Sequence, residues 1–138
     1  MKPEISVGII LVKEKPIKFL LMRRENNKVW DFPKGHLLSE ESYEICALRE
    51  LKEETQISDI KLFKDFKEEL TFINPKGSFR KIILFLGKTS IDPKLSKEHN
   101  KFRWCSFKES CRLVQFKEKK EVLQKARNYL KQGGYLPK

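Results

Sequence analysis

Apolar residues arrive in short blocks separated by polar turns, which is the rhythm of strands interrupted by two helical stretches. Ser6 to Val12 (SVGIILV) is continuous and β-branched, as expected of a buried strand, and Phe19 to Arg23 returns as a second one after a turn around Pro16. Glu25 to Lys28 reads as a polar turn, and Trp30-Asp31-Phe32 as a short strand entering Pro33-Lys34-Gly35. A helix follows, with Ser39 as the expected N-cap, Glu40 and Glu41 in its first turn, and an end near Thr55. Ala47, Leu48 and Leu51 form its apolar stripe. Ile60 to Phe72 reads as a strand with a polar middle, Asn74-Pro75-Lys76-Gly77 as a turn, and Lys81 to Gly87 (KIILFLG) as a buried strand. Thr89 to Asn100 is a polar loop and Phe102 to Phe107 alternates as a strand does. From Glu109 the spacing turns helical, and Val114, Val122, Leu123, Ala126 and Leu130 predict one long final helix ending at Gly133-Gly134. Strands with two helices imply an α/β fold, a mixed sheet sandwiched between helices.

The length, 138 residues, suits one domain over 1–138 with one core. No apolar run approaches the roughly 20 residues that span a membrane, and the start lacks the apolar stretch of a signal peptide. Three cysteines, Cys46, Cys105 and Cys111, are an odd number at no metal-ligand spacing, which predicts reduced thiols in a cytoplasmic protein. Cys46 is expected half-buried in the motif helix, with no activating histidine to make it a nucleophile. The net charge of +11 favours polyanions in general and ranks no substrate among them.

The chemistry lies in Arg49-Glu50-Leu51-Lys52-Glu53-Glu54. Glu50, Glu53 and Glu54 stand at i, i+3 and i+4 and share one helix face. Two carboxylates about 4 Å apart repel by roughly 4 kcal/mol at an effective dielectric near 20. A hard divalent cation such as Mg2+ or Mn2+ removes the conflict and retains waters and substrate phosphates in its shell. Lys52 points off the acidic face, and Arg49 lies i,i+4 from Glu53, where it braces the helix together with Glu41.

Gly35, five residues, Glu41, seven residues, then Arg49-Glu50-Leu51-Lys52-Glu53-Glu54-Thr55-Gln56-Ile57 resembles the Nudix box, the signature of hydrolases that cut a nucleoside diphosphate linked to another group. It departs at Gln56, where the family usually has a helix-ending Gly, and at Glu40, where Gly is common. Within the family, Trp30 to His36, the loop Leu95-Ser96-Lys97-Glu98-His99 with Phe102-Arg103-Trp104, and Leu113 to Glu118 are similar to stretches of asymmetrical diadenosine tetraphosphate hydrolases. The resemblance implies the Nudix fold and metal-dependent attack of water on a dinucleoside polyphosphate, giving ATP and AMP from diadenosine tetraphosphate. It implies Glu50, Glu53, Glu54 and Glu98 as metal ligands, with Glu54, Glu50 or Glu98 taking the proton of water. His99 would fix the loop that carries Glu98. Lys34, His36, Arg80 and Lys81 would contact phosphate, and Phe72 and Phe116 stand where related hydrolases place base-stacking aromatics, usually Tyr. A monomer with a small-molecule substrate is expected. RNA 5′-pyrophosphohydrolases and diphosphoinositol phosphatases carry related versions of the Trp-Pro-Lys-Gly piece. Removal of pyrophosphate from RNA or a cap therefore stays open, as does a non-enzymatic nucleotide-sensing or RNA-binding module.

Overall fold

The computed structural model describes residues 4–73, 75–97 and 99–136, with residues 99 and 100 by their backbone alone. Glu98, expected as a ligand or base, lies outside the described residues, and so do Asn74 of the expected turn and the side chain of His99.

The strands are β1 (Glu4–Lys13), β2 (Lys18–Arg24), β3 (Trp30–Asp31), β4 (Lys34–His36), β5 (Lys61–Ile73), β6 (Phe79–Lys88) and β7 (His99–Cys105); β4 was not expected, and β7 starts within the stretch read as a loop. They make one mixed sheet in the order β3-β2-β1-β6-β5, with β4 paired to β1 and β7 to β2. β1 and β6 run parallel, from Glu4 opposite Arg80 to Val12 opposite Lys88. Both strands are buried on both faces, so their side chains alternate between two cores. Ile10, Val12, Ile82, Leu84 and Leu86 face α3 (Lys117–Gln132), whose Val122, Leu123, Ala126 and Leu130 complete one core. Val7, Ile9, Leu11, Ile83 and Phe85 face α1 (Tyr43–Thr55), whose Cys46, Ala47 and Leu51 complete the other. This is the expected sheet between helices.

What positions the site is a divided edge. β1 pairs with β2 only at Val12 and Lys13, while its first half, Ser6 to Gly8, pairs with β4. The segment before β4 enters the gap and Pro33 O accepts from Ile9 N at 3.1 Å. A Cβ on Gly8 would meet Pro33 O at 2.4 Å, so only glycine permits that approach.

Several details depart from the sequence reading. α1 is capped by Ser42, whose hydroxyl accepts from Ile45 N at 3.2 Å, and not by Ser39. Glu40 takes a left-handed φ of 68° and Glu41 turns back to accept from Leu38 N. Within α1, Cys46 is wholly buried and Leu48 is exposed, so the apolar stripe runs through Cys46, Ala47 and Leu51. The final helix is two, α2 (Phe107–Leu113) and α3, because Val114 is extended and bridges to Trp30 while Phe116 has φ 74°. Phe107, assigned above to the strand, begins α2. β5 carries a bulge between Leu62 and Lys67, with Asp65 at φ 66°, which lets Phe63 and Phe66 both face inward.

Candidate active site

α1 delivers its three carboxylates to the rim of a cavity of about 550 Å3, with Lys34, Gly35 and His36 from β4 opposite and Arg24, Ser96 and Lys97 closing it. The loop after β6 is tied to the end of α1, since Lys94 N donates to Thr55 O at 2.8 Å and Ser96 N to Glu54 O at 3.1 Å. Those two bonds bring Ser96 and Lys97 beside Glu54. α1 ends at Gln56 in the left-handed region, φ 61° and ψ 15°, with its N–H on Lys52 O. The exit that family members make with glycine is therefore kept by glutamine, against the usual cost of a Cβ there.

Arg49 organises the acids. Its Nε donates to Glu41 Oε2 at 2.6 Å and Nη2 to Glu41 Oε1 at 3.0 Å, a two-point pair. Nη1 reaches Glu50 Oε1 at 2.9 Å and Glu53 at 3.2 Å, and Nη2 also bonds His36 O at 3.0 Å. The side-chain bond from Arg49, with the Leu38 amide, holds the Glu41 carboxyl down at about 2. The expected bracing by Arg49 and Glu41 is thus observed. Glu50 lies against Gly35, where a Cβ would stand 2.0 Å from its carboxyl carbon. Glycine at 35 is a cradle for that carboxylate. Glu54 is 5% exposed.

This donor set fits a hard divalent ion, because the cavity presents carboxylate oxygens and no soft ligand. Among the described residues, as placed, no three acidic, histidine or cysteine side chains converge closely enough to hold a metal ion between them. Cys46 is no nucleophile, since burial pushes its thiol up to about 12 and the sulfur sits against His36 O at 3.5 Å.

On the other face, Phe72, Phe79, Arg80, Phe116, Glu4 and Lys119 line a second cavity of about 440 Å3. The rings of Phe72 and Phe116 pack at 5.5 Å between centroids and 57° between planes. The two cavities are linked by side chains that sequence reasoning missed. Lys119 Nζ donates to Asp31 Oδ2 at 2.8 Å, and the same oxygen lies 3.5 Å from Lys34 Nζ. Lys34 and Lys119 are both buried. Burial lowers the Lys34 pKa against the opposing pull of Asp31, and Arg80, Lys119 and Arg24 lower it further. A signal existed: Lys119 stands in register with Val122, Leu123, Ala126 and Leu130, a cation on the buried stripe.

The remaining expected residues separate. His36 is exposed, lines the acidic cavity, and pairs through Nδ1 with Glu4 at 3.3 Å. Arg80 lines the aromatic cavity, whereas Lys81 faces the other side of β6 and pairs with Glu69 at 3.3 Å. Successive strand residues cannot serve one face, so Arg80 alone of the two reaches the aromatic cavity.

A mixed sheet with a divided edge, and one acid-rimmed helix facing a buried lysine across a cavity, is the Nudix architecture. The NUDIX domain family matches residues 2–128, and the chain belongs to the Nudix hydrolase family. The asymmetrical bis(5′-nucleosyl)-tetraphosphatase of Mus musculus is 34% identical over 120 residues, spanning 83% of this chain and 81% of that protein. The RNA pyrophosphohydrolase of Nitratiruptor sp. is 28% identical over 151 residues, spanning 97% and 96% respectively. A crystal structure of a C. elegans Ap4A hydrolase binary complex superposes with a TM-score of 0.85 at 27% identity, covering 92% of this chain and 97% of that one. Nudix hydrolases generally use divalent metal ions.

Proposed function

We propose that this protein hydrolyses dinucleoside polyphosphates with Mg2+ or Mn2+, converting diadenosine tetraphosphate and water to ATP and AMP. One observation carries the reading: an acid-rimmed cavity and an aromatic one, joined through Lys34, Asp31 and Lys119. A phosphate chain with a base at its end needs both. The similarity to asymmetrical tetraphosphatases supports the choice of substrate.

Glu50, Glu53 and Glu54 would hold the metal. Bound there, it neutralises the polyphosphate and polarises a P–O bond. Lys34 and Arg80 hold phosphate oxygens and stabilise the negative charge that develops on them. Water adds its oxygen to phosphorus, the bridging P–O bond breaks, and a carboxylate of Glu54, Glu50 or Glu98 takes the proton. His36, at the cavity rim, donates to an outer phosphate. Phe116 offers the base an exposed face. As placed, Phe72 and Phe116 pack on each other, so a base stacks on Phe116 alone or parts the pair. The reading includes a monomer in the cytoplasm. The free thiols of Cys46, Cys105 and Cys111 agree with that compartment, and among the described residues no helix is long and apolar enough to cross a membrane.

A second reading, removal of pyrophosphate from 5′-triphosphorylated RNA, draws on the Nitratiruptor relative. Anion-exchange chromatography after incubation with Mg2+ separates the two. Equimolar ATP and AMP from the dinucleotide is the expected result. Pyrophosphate from RNA with an intact dinucleotide would install the second reading, and no product from either would remove the enzymatic one.

A further inference from the structure

We propose that Lys119 makes the aromatic cavity a reader of 6-oxopurines, so that guanosine-bearing dinucleoside polyphosphates are preferred to diadenosine ones. The inference rests on the function proposed above and deepens it by naming the base.

Lys119 is 6% exposed and projects from the buried stripe of α3. A lysine in that register loses hydration and packs where an apolar residue would serve α3 better, so a fold alone does not call for it. Among the described residues its one hydrogen-bond partner is Asp31, at 2.8 Å. An ammonium has three hydrogens to donate, so donor capacity remains. The Nζ lies over the Phe116 ring, 5.6 Å from its centroid, at the wall of the aromatic cavity. A base stacked on that ring beside the ammonium would meet it with an edge.

The edge decides the preference. Guanine presents N7 and O6 side by side, two acceptors that one lysine can engage together. Adenine presents N7 beside the N6 amino group, so one contact is lost and a donor faces a donor. Glu4 lines the same cavity and offers acceptors, the complement of guanine N1–H and the N2 amino group. Asp31 holds Lys119 in place at 2.8 Å without filling its remaining donor positions.

Diguanosine and diadenosine tetraphosphates supplied together at equal concentration report the ratio of their kcat/KM values directly. Wild type is expected to favour the guanosine substrate by about tenfold. Lys119→Met, which keeps the stem and removes the donors, should bring the ratio to parity, and Lys119→Arg should retain the preference. A wild-type ratio of one or below overturns the inference, as does an undiminished preference in Lys119→Met. Calorimetric binding of GMP against AMP is measured alongside. If neither dinucleotide is cleaved, the proposed function fails, yet the GMP-to-AMP affinity ratio still decides the base preference. If Lys119→Met does not fold, the wild-type ratios alone decide it.

Discussion

Replacing Gly35 by alanine separates the geometry of the site from the stability of the fold. A Cβ there would stand 2.0 Å from Glu50 Cδ, 2.1 Å from Oε2 and 2.3 Å from Oε1. Moving the carboxyl carbon from 2.0 Å to ordinary contact at 3.4 Å is a retreat of 1.4 Å. The atoms that must move are the end of a flexible side chain, so β4 keeps its register with β1. The folded state loses the Arg49–Glu50 pair at 2.9 Å, whose side chains are partly exposed, while Arg49 keeps both bonds to Glu41. Such a pair is worth about 1 kcal/mol or less. The melting temperature should therefore fall by only about 2–4 °C. Catalysis is far less tolerant, because misplacing a reacting group by about 1 Å costs on the order of 100-fold. Gly35→Ala should lose roughly that factor in kcat/KM on diadenosine tetraphosphate and need more Mg2+ for half-maximal rate. Differential scanning fluorimetry and a magnesium titration of initial rate measure the two effects. Near-normal kcat/KM with an unshifted magnesium midpoint would refute the assignment of Glu50 to the metal.

Glu54→Gln keeps shape and burial, so it should hold its melting temperature while turnover at saturating Mg2+ drops by about 10²–10⁴-fold. Glu41 has its carboxyl held at about 2 against an ordinary 4.5, chiefly by Arg49, so its contribution to stability is complete above pH 4.5 and disappears as pH falls toward 2. The melting-temperature gap between wild type and Arg49→Met should accordingly narrow between pH 5 and pH 2.5; a gap that stays constant contradicts the pairing. Gln56→Gly relieves a left-handed backbone at φ 61°. It should gain about 0.5–1 kcal/mol in chemical denaturation, the cost of αL less the added freedom of the unfolded chain. Phe116→Ala, at a half-exposed position, should leave stability nearly unchanged and raise KM by the 1–3 kcal/mol of a stacked base, roughly 5- to 150-fold.

The elements legible in the sequence are those whose burial is uniform. β1 and β6 are apolar on both faces and read as strands without ambiguity, and the acidic face of α1 follows from spacing alone. Capping was not legible, because Ser39 and Ser42 both precede the apolar stripe and only the turn at Glu40, with its left-handed φ, decides between them. Val114 misled for a related reason: it is buried, as a residue of the helical stripe would be, but in an extended backbone that pairs with Trp30. Periodicity reports burial, not backbone conformation. In the site, the acids and Lys34 were visible because their spacing is local. Asp31 with Lys119 was not, since 88 residues separate the two. The loop that closes the cavity was also hidden, because its anchors are the backbone amides of Lys94 and Ser96, which carry no side-chain signature.

The charge arrangement explains why metal and substrate belong together in the proposed reaction. On one side of the cleft, burial, Arg80, Lys119 and Arg24 all act to lower the pKa of Lys34, and the Asp31 carboxylate opposes them. On the other, Glu50, Glu53 and Glu54 line the cavity, and Arg49 bonds the first two. A polyphosphate entering alone gains the cationic side and meets like charge at the acidic one, at roughly 4 kcal/mol for unit charges 4 Å apart at an effective dielectric of about 20. A divalent ion entering alone meets the acids without the phosphate oxygens that complete its shell. Each removes the other's penalty, so each must raise the other's affinity by the same factor. In the proposed reaction the overall positive charge of the chain would draw the polyanion in, and the acidic edge of α1 would then admit it only in company with the ion.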